Sequence, residues 1–414
     1  MIKTIQELKN LEGKRVLLRT DFDVSLDQKS GEVKDDFRIR AGLETIDFLL
    51  KKRVKLIIIA HLGRPGGKVV EELRLKPVYE LLRTKYKLPI NYYQESRGEE
   101  VKKRIKKIKE GEIVLLENLR FYPEEEKNDP DFAKELVNLA DFFINDAFAV
   151  SHRSHTSTVE ITKYLPSYAG FSLIREIETL SKLKETPQRP LIILLGGAKI
   201  SDKIGVLRNF RKMADWILIG GALANNFLKA EGYEIGISLI EPGKIKETRE
   251  LLENSNSDVK ANYNYSFCVD NCKVIGGEKI ILPCDLKVIS GRKIKTKKIN
   301  QIKKFDQILD IGPATIDLFS KVLREAKIIF WNGPMGFFED RRFISGTKEI
   351  AKTILESKAQ VVIGGGDTIS AIKNYSSKME KRGNIFISVG GGAMLDFLAG
   401  KSLPGIEVLE AQCS

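Results

Sequence analysis

Five apolar runs in the second half of the chain each lead into glycine: LIILLGG from Leu191, DWILIGG from Asp215, KIIFWNGP from Lys327, QVVIGGG from Gln360 and FISVGGG from Phe386. None alternates apolar with polar residues, so each reads as a strand buried on both faces, as in a parallel sheet covered by helices. Open sheets of that kind bind ligands at the carboxyl ends of their strands, where these glycines fall. In LIILLGGAKISDK two cations, Lys199 and Lys203, follow the turn at i, i+4. If a helix begins within this segment they share one of its faces, beside glycine backbone suited to an anion.

The first half has the same rhythm with different punctuation. Its runs RVLLRTDF, KLIIIA, IVLLEN and DFFINDAF lead into Asp, Arg and His instead of glycine. Between them IRAGLETIDFLLKK places Leu43, Ile46, Leu49 and Leu50 on one helical stripe. At 414 residues the chain suffices for two domains. The contrast in strand ends argues for two ligands. The expectation is α/β: two Rossmann-like domains, each a parallel sheet covered by helices and joined by an interdomain helix. The boundaries drawn are 1–168 with 401–414 packing back, the helix at 169–185, and 186–400. Leu173, Ile177, Leu180 and Leu183 would form the buried stripe of that helix.

In the first half, polar groups gather at strand ends: Asp21 and Asp23, His61 and Arg64, Arg120, then His152, Arg153 and His155. With Arg38 these include four arginines, which grip phosphate or carboxylate bidentately as lysine cannot. A metal reading would use His152, His155 and Asp146, but the interspersed arginines would repel a cation. The two histidines also read as ordinary loop residues.

In the second half GGAK, IGGAL, NGPMG, IGGGDT and VGGGAM recur in order. Such glycines let backbone amides approach a phosphate, and a following helix N-terminus adds favourable potential. Asp367, after three glycines and before Thr368, is the natural candidate for a magnesium ligand beside a triphosphate. Neither GxxxxGK[ST] nor GxGxxG occurs.

The net charge of +13, from 69 basic and 56 acidic residues, permits nucleic-acid binding. However, the clusters KKRIKKIK and GRKIKTKKINQIKK contain no aromatic residue and read as solvated faces. No apolar run approaches the roughly 20 residues of a membrane span. The start MIKTIQELKN has no signal-peptide core, so a cytoplasmic protein is expected. Cys268, Cys272, Cys284 and Cys413 are expected to be free thiols in that setting.

Taken in order, RTDFDV, HLGRPGG, ENLRFYPEEE, NDAFAVSHRSH, LLGGAKISDKI, FWNGPMGFFE, GGGDT and GGGAMLDFLAGKSLPG resemble phosphoglycerate kinases over nearly the whole chain. The resemblance implies magnesium-dependent phosphoryl transfer between 1,3-bisphosphoglycerate with ADP and 3-phosphoglycerate with ATP. It implies transfer in line, after hinge closure of two domains. Asp21, Asp23, Arg38, His61, Arg64, Arg120 and Arg153 fall on phosphoglycerate positions. Gly197, Lys199, Lys203, Gly221, Asn332, Glu339, Gly365, Gly366, Asp367 and Thr368 fall on nucleotide positions. Arg38, Lys199 and the amides of Gly390, Gly391 and Gly392 would neutralise the moving phosphoryl group. Glu339 would take the ribose hydroxyls, and Asp367 the magnesium. No nucleic-acid or membrane partner is expected. A monomer is expected, with a dimer as the alternative.

Four departures from the family pattern stand out. Asp23 replaces the usual Asn, Ala149-Val150 the usual Gly-Thr, and Val389 and Met394 a Thr and a Ser. The extra charge at Asp23 would either turn to a neighbouring arginine or weaken substrate binding. A non-enzymatic anion-binding protein that kept the fold and lost activity is the alternative that the Asp23 and Val389 departures would support.

Overall fold

The computed structural model describes residues 2–185, 187–253 and 279–412. It divides into two compact units, Met1–Thr179 with Ser402–Ser414, and Leu180–Lys401.

The first unit is built on six parallel strands: β1 (Arg15–Arg19), β2 (Lys55–Ile59), β3 (Ile90–Tyr92), β4 (Ile113–Leu115), β5 (Phe142–Asn145) and β6 (Ser167–Ala169), in the order β3-β4-β2-β1-β5-β6. The runs read from sequence form these strands because both faces are covered. Val16 and Leu18 point into one core, Leu17 into the other, and all three are fully buried. Burying such a side chain contributes roughly 1.5–3 kcal/mol. The helix Phe37–Lys51 buries Ile39, Gly42, Thr45, Ile46 and Leu49, while Leu43 and Leu50 pack half-buried on the same core. The stripe lies a little N-terminal to the one expected because Gly42 sits against Thr20. A Cβ there would come within 2.7 Å of the Thr20 hydroxyl.

The second unit also has six parallel strands: β7 (Leu191–Leu195), β8 (Trp216–Ile219), β9 (Ile280–Ile281), and further on β13 (Ile328–Asn332), β14 (Gln360–Gly364) and β15 (Ile385–Ile387), ordered β15-β14-β13-β7-β8-β9. Between them lies an antiparallel sheet that the sequence reading lacked: β10 (Asp285–Ser290), β11 (Lys293–Lys298) and β12 (Asp306–Ile311). The lysine cluster forms its edge strand β11, where exposed lysines discourage pairing with another chain's edge. Lys297 is instead held at 2.6 Å by buried Asp306.

In each sheet the strand order reverses beside a central strand, between β1 and β5 and between β7 and β13. Crevices form at such switch points, outside the carboxyl ends of the strands. Cys284 is disulfide-bonded, against the expectation of a free thiol. Cys268, Cys272 and Cys413 lie outside the described residues. Among the described residues no helix is long and apolar enough to cross a membrane.

Candidate functional site

In the first unit the buried Arg19, at the end of β1, is the hub. It donates from Nε to Ser157 Oγ at 3.0 Å, from Nη1 to the Thr20 carbonyl at 2.6 Å, and from Nη2 to His61 Nδ1 at 3.0 Å. Guanidinium has no acceptor, so Nδ1 must accept and the His61 proton sits on Nε2. Nε2 faces Asp23 Oδ2 at 3.6 Å. Burial, with help from Arg19 and Arg120, pushes the His61 pKa down to about 4.

Asp23 therefore does not turn to a neighbouring arginine, the first of its two expected outcomes. Its Oδ1 accepts the Gly63 amide at 2.8 Å and its Oδ2 faces His61. Burial works to raise its pKa, but the His61 side chain, the Gly63 amide and Arg38 outweigh that and keep it ionised. Asp21 is nearly buried. It accepts Arg38 Nη1 at 2.8 Å and the Asp23 amide at 3.1 Å, so its task is to aim Arg38. The same Asp21 charge is the main cause raising the Arg38 pKa.

Arg120 is buried, with Nη1 on the Gly63 carbonyl at 2.9 Å. Its Nε lies 3.3 Å from Glu126 but makes no hydrogen bond. A buried guanidinium with an unspent donor suits an anion. Arg153 and His155 lie close enough to act electrostatically on Arg120 or be acted on by it. Arg64 is exposed and makes no hydrogen bond or ion pair with a described residue.

The metal reading of this half does not assemble. Arg153 donates to His152 Nε2 at 3.2 Å, and Asp146 accepts the Leu173 amide at 3.1 Å. His155 is pushed down to about pKa 3, chiefly by burial. Among the described residues no three ligand-type side chains gather to hold a metal ion.

In the second unit a cleft of about 610 Å³ opens at the carboxyl ends of β7, β13 and β14. Gly197, Lys199, Lys203, Asn332, Gly365, Gly366, Asp367, Thr368, Gly391 and Gly392 all line it, whereas Gly221, Glu339 and Gly390 do not. Its volume falls within the range of small-ligand sites. The floor is two interlocked turns. A Cβ on Gly196 would lie 2.2 Å from the Pro334 carbonyl, and Gly333, at φ +97°, has no room for one beside Gly196. Gly221 supports this floor from behind, donating to the Met335 carbonyl at 3.0 Å.

The two lysines do not share a helix face. The helix begins only at Ile204, so Lys199 and Lys203 occupy the loop before it. Lys199 is exposed. Lys203 is buried, and burial lowers its pKa against the pull of Asp202, Asp367 and Glu241. Thr368 is spent internally, accepting the Gly333 amide at 2.7 Å and donating to the Gly364 carbonyl at 2.8 Å. Asn332 likewise donates to the Gly364 carbonyl at 3.0 Å. The Gly390 amide is engaged too, on Ser388 Oγ at 3.0 Å. Gly391 and Gly392 open the helix Gly391–Leu398, where first-turn amides lack intrahelical acceptors. Met394 is buried with its thioether against Gly364, and Val389 is buried, so those departures serve packing. Glu339 is exposed.

Asp367 is exposed in the cleft beside Lys203. One carboxylate suits magnesium, which commonly keeps waters and takes its other ligands from substrate phosphates. Two residues that shape these sites were missed by sequence reasoning. Arg19 had a signal, being a charge inside an otherwise apolar run. Glu241, which holds the Lys199 loop, had none beyond its place before Pro-Gly.

A family profile described as phosphoglycerate kinase matches residues 5–401. The phosphoglycerate kinase of Dictyoglomus turgidum is 44% identical over 415 residues, covering 99% of each chain. That of Moorella thermoacetica is 43% identical and covers 98% of each. The solved phosphoglycerate kinase of Coxiella burnetii superposes with a TM-score of 0.80 at 34% identity, over 100% of both chains. The Pyrococcus horikoshii enzyme gives 0.82 at 31% identity, over 99% of this chain and 98% of that one.

Proposed function

The chain belongs to the phosphoglycerate kinase family, a family of phosphotransferases, and from that premise we propose how its own residues divide the reaction. Phosphoryl transfer needs positioning and charge stabilisation more than covalent chemistry. The acyl phosphate is already activated and the attacking ADP oxygen is ionised, so no general base is required. The arrangement of His61 agrees with that, since its Nδ1 is occupied by Arg19 and its Nε2 carries a proton that faces Asp23, which leaves no ring nitrogen to act as a base.

In this reading His61, Arg64, Arg120 and Arg153 grip the phosphoglycerate, and Asp21 and Asp23 position Arg38 and His61. The nucleotide phosphates lie in the glycine cleft against Lys203, over Gly197, Gly365 and Gly366. Asn332, Thr368 and Gly221 hold the walls of that cleft. Glu339 takes the ribose hydroxyls. Asp367 holds magnesium, which supplies positive charge to the phosphate oxygens. Arg38 and Lys199, with the Gly391 and Gly392 amides, neutralise the group in flight. Gly390 supports their turn through Ser388. Ligands bound at separate sheets must be brought together, so hinge closure belongs to the proposal. It would also exclude water from the acyl phosphate. A cytoplasmic monomer without nucleic-acid partners completes it, with 1–168 and 401–414 as the phosphoglycerate domain, 169–185 as the joining helix and 186–400 as the nucleotide domain.

The observation that carries the nucleotide half is the cleft that Lys199, Lys203 and Asp367 line together with the glycine turns. A coupled assay for ATP formed from 1,3-bisphosphoglycerate and ADP tests the whole reading. Magnesium-dependent ATP formation supports it. Binding without turnover would leave only an anion-binding protein. Binding lost between low and moderate salt, indifferent to phosphoglycerate, would favour nucleic acid instead.

A further inference from the structure

Lys199 is exposed and makes no hydrogen bond or ion pair with a described residue, so apart from the attraction of the Glu241 charge its position is set through its backbone. That backbone is pinned on both sides. Upstream, the Gly197 amide donates to the Pro334 carbonyl and its carbonyl accepts the Leu223 amide, each at 2.8 Å. Downstream, the pin is one carboxylate from 41 and 40 residues further along the chain. Glu241 Oε2 accepts the Ile200 amide at 2.5 Å and the Ser201 amide at 3.0 Å, and Oε1 accepts Ser201 Oγ at 2.9 Å. The Ile200 N–H lies in the planar peptide unit that also carries the Lys199 carbonyl, so fixing one fixes the other.

Glu241 is itself anchored. Its amide donates to Asn226 Oδ1 at 2.9 Å, and neighbouring Asn225 donates to the Leu239 carbonyl at 3.1 Å. Both asparagines are fully buried on the helix Gly221–Ala230. A chain of hydrogen bonds thus runs from a helix core, through one carboxylate, to the loop that carries Lys199.

We propose that Glu241 is a positioning residue for phosphoryl transfer, holding the Lys199–Ser201 backbone so that the Lys199 ammonium meets the transferring group. The claim rests on the role given above to Lys199. Both carboxylate oxygens are directed at the loop's donors, so this negative charge serves the loop while an anion occupies the cleft.

A double-mutant cycle tests it: Lys199→Ala, Glu241→Ala and the pair, assayed for turnover at saturating substrates, with Glu241→Gln as the conservative variant and thermal melting run beside them. Glu241→Ala is expected to lower kcat at least tenfold, with the KM for phosphoglycerate within twofold of the parent. The pair is expected to be no slower than Lys199→Ala alone, because the pin has no effect once the lysine is gone. Glu241→Gln, which keeps one acceptor oxygen, should recover part of the loss. Losses that multiply in the pair, or a Glu241→Ala variant that melts lower yet turns over normally, would overturn the inference while leaving Lys199 in its role. Normal turnover in Lys199→Ala would overturn both.

Discussion

Arg19 donates a hydrogen bond to Nδ1 of His61 at 3.0 Å, and so decides which ring nitrogen of His61 carries the proton. The ring is held neutral, its pKa pushed down to about 4 by burial and by the nearby guanidinium groups of Arg19 and Arg120. Nitrogen-15 NMR should find Nδ1 unprotonated and no His61 titration between pH 5 and 8. Because the folded pKa lies below the unfolded value of about 6.5, His61 contributes stability above that pH and loses it as pH falls towards 4. A titration centred near 6.5 would contradict the arrangement.

Asp23→Asn should strengthen phosphoglycerate binding. In the present chain the Asp23 carboxylate faces the His61 Nε2 proton and adds a negative charge beside Arg38. Asparagine keeps an acceptor for the Gly63 amide and removes the charge. The KM for phosphoglycerate is expected to fall about tenfold, the scale of one charge-assisted hydrogen bond, with the nucleotide KM unchanged. An unchanged or weaker phosphoglycerate KM would show that Asp23 does not compete with the ligand.

Asp146 is buried at the head of the helix Phe171–Glu185, accepting the Leu173 amide while its Oδ2 has no partner. Burial pushes its pKa up to about 7, against the hydrogen bonds that favour the charged form. The folded state therefore holds a proton that the unfolded chain has lost above about pH 4. The resulting stability is fully present below that pH and disappears as pH rises through about 7. Asp146→Asn should remove this slope, so the difference in unfolding free energy from the parent should shift by about 2–4 kcal/mol between pH 4 and 8. Parallel curves for the two proteins would place the proton elsewhere.

Asp367→Asn should raise the magnesium concentration needed for half-maximal turnover by at least about tenfold, as expected when one of few protein carboxylates leaves a magnesium site. Phosphoglycerate binding, measured without nucleotide, should not change. An unaltered magnesium requirement would move the metal to another carboxylate.

The central strands of both parallel sheets were legible in the sequence because burial on both faces leaves a continuous apolar run. Leu191–Leu195 and Lys55–Ile59 are strands where the runs stand. The sheet β10–β12 was not legible. Its edge strand Lys293–Lys298 is exposed and lysine-rich, so burial left no apolar pattern to read.

At the sites, the sequence identified chemistry but not partners. Arginines and glycines at strand ends were visible as types. That Asp21 aims Arg38 depends on how the segment after β1 meets the first turn of the helix Phe37–Lys51. That Thr368 spends its hydroxyl on the Gly333 amide depends on the ends of β13 and β14 lying side by side. The shared helix face that Lys199 and Lys203 would have had, if a helix began within their segment, fails for a similar reason. The loop that displaces it to Ile204 is held by a carboxylate about 40 residues away, which no local propensity encodes.

The rate of ATP formation when 1,3-bisphosphoglycerate and magnesium ADP are mixed with Arg38→Ala, set against the parent protein, tests the central claim most directly. Arg38 is assigned to the charge that develops on the phosphoryl group in transit, with Asp21 holding it ready at 2.8 Å. Losing one such contact should slow turnover about 10²- to 10³-fold, with nucleotide affinity close to that of the parent. Turnover near the parent's would contradict the account.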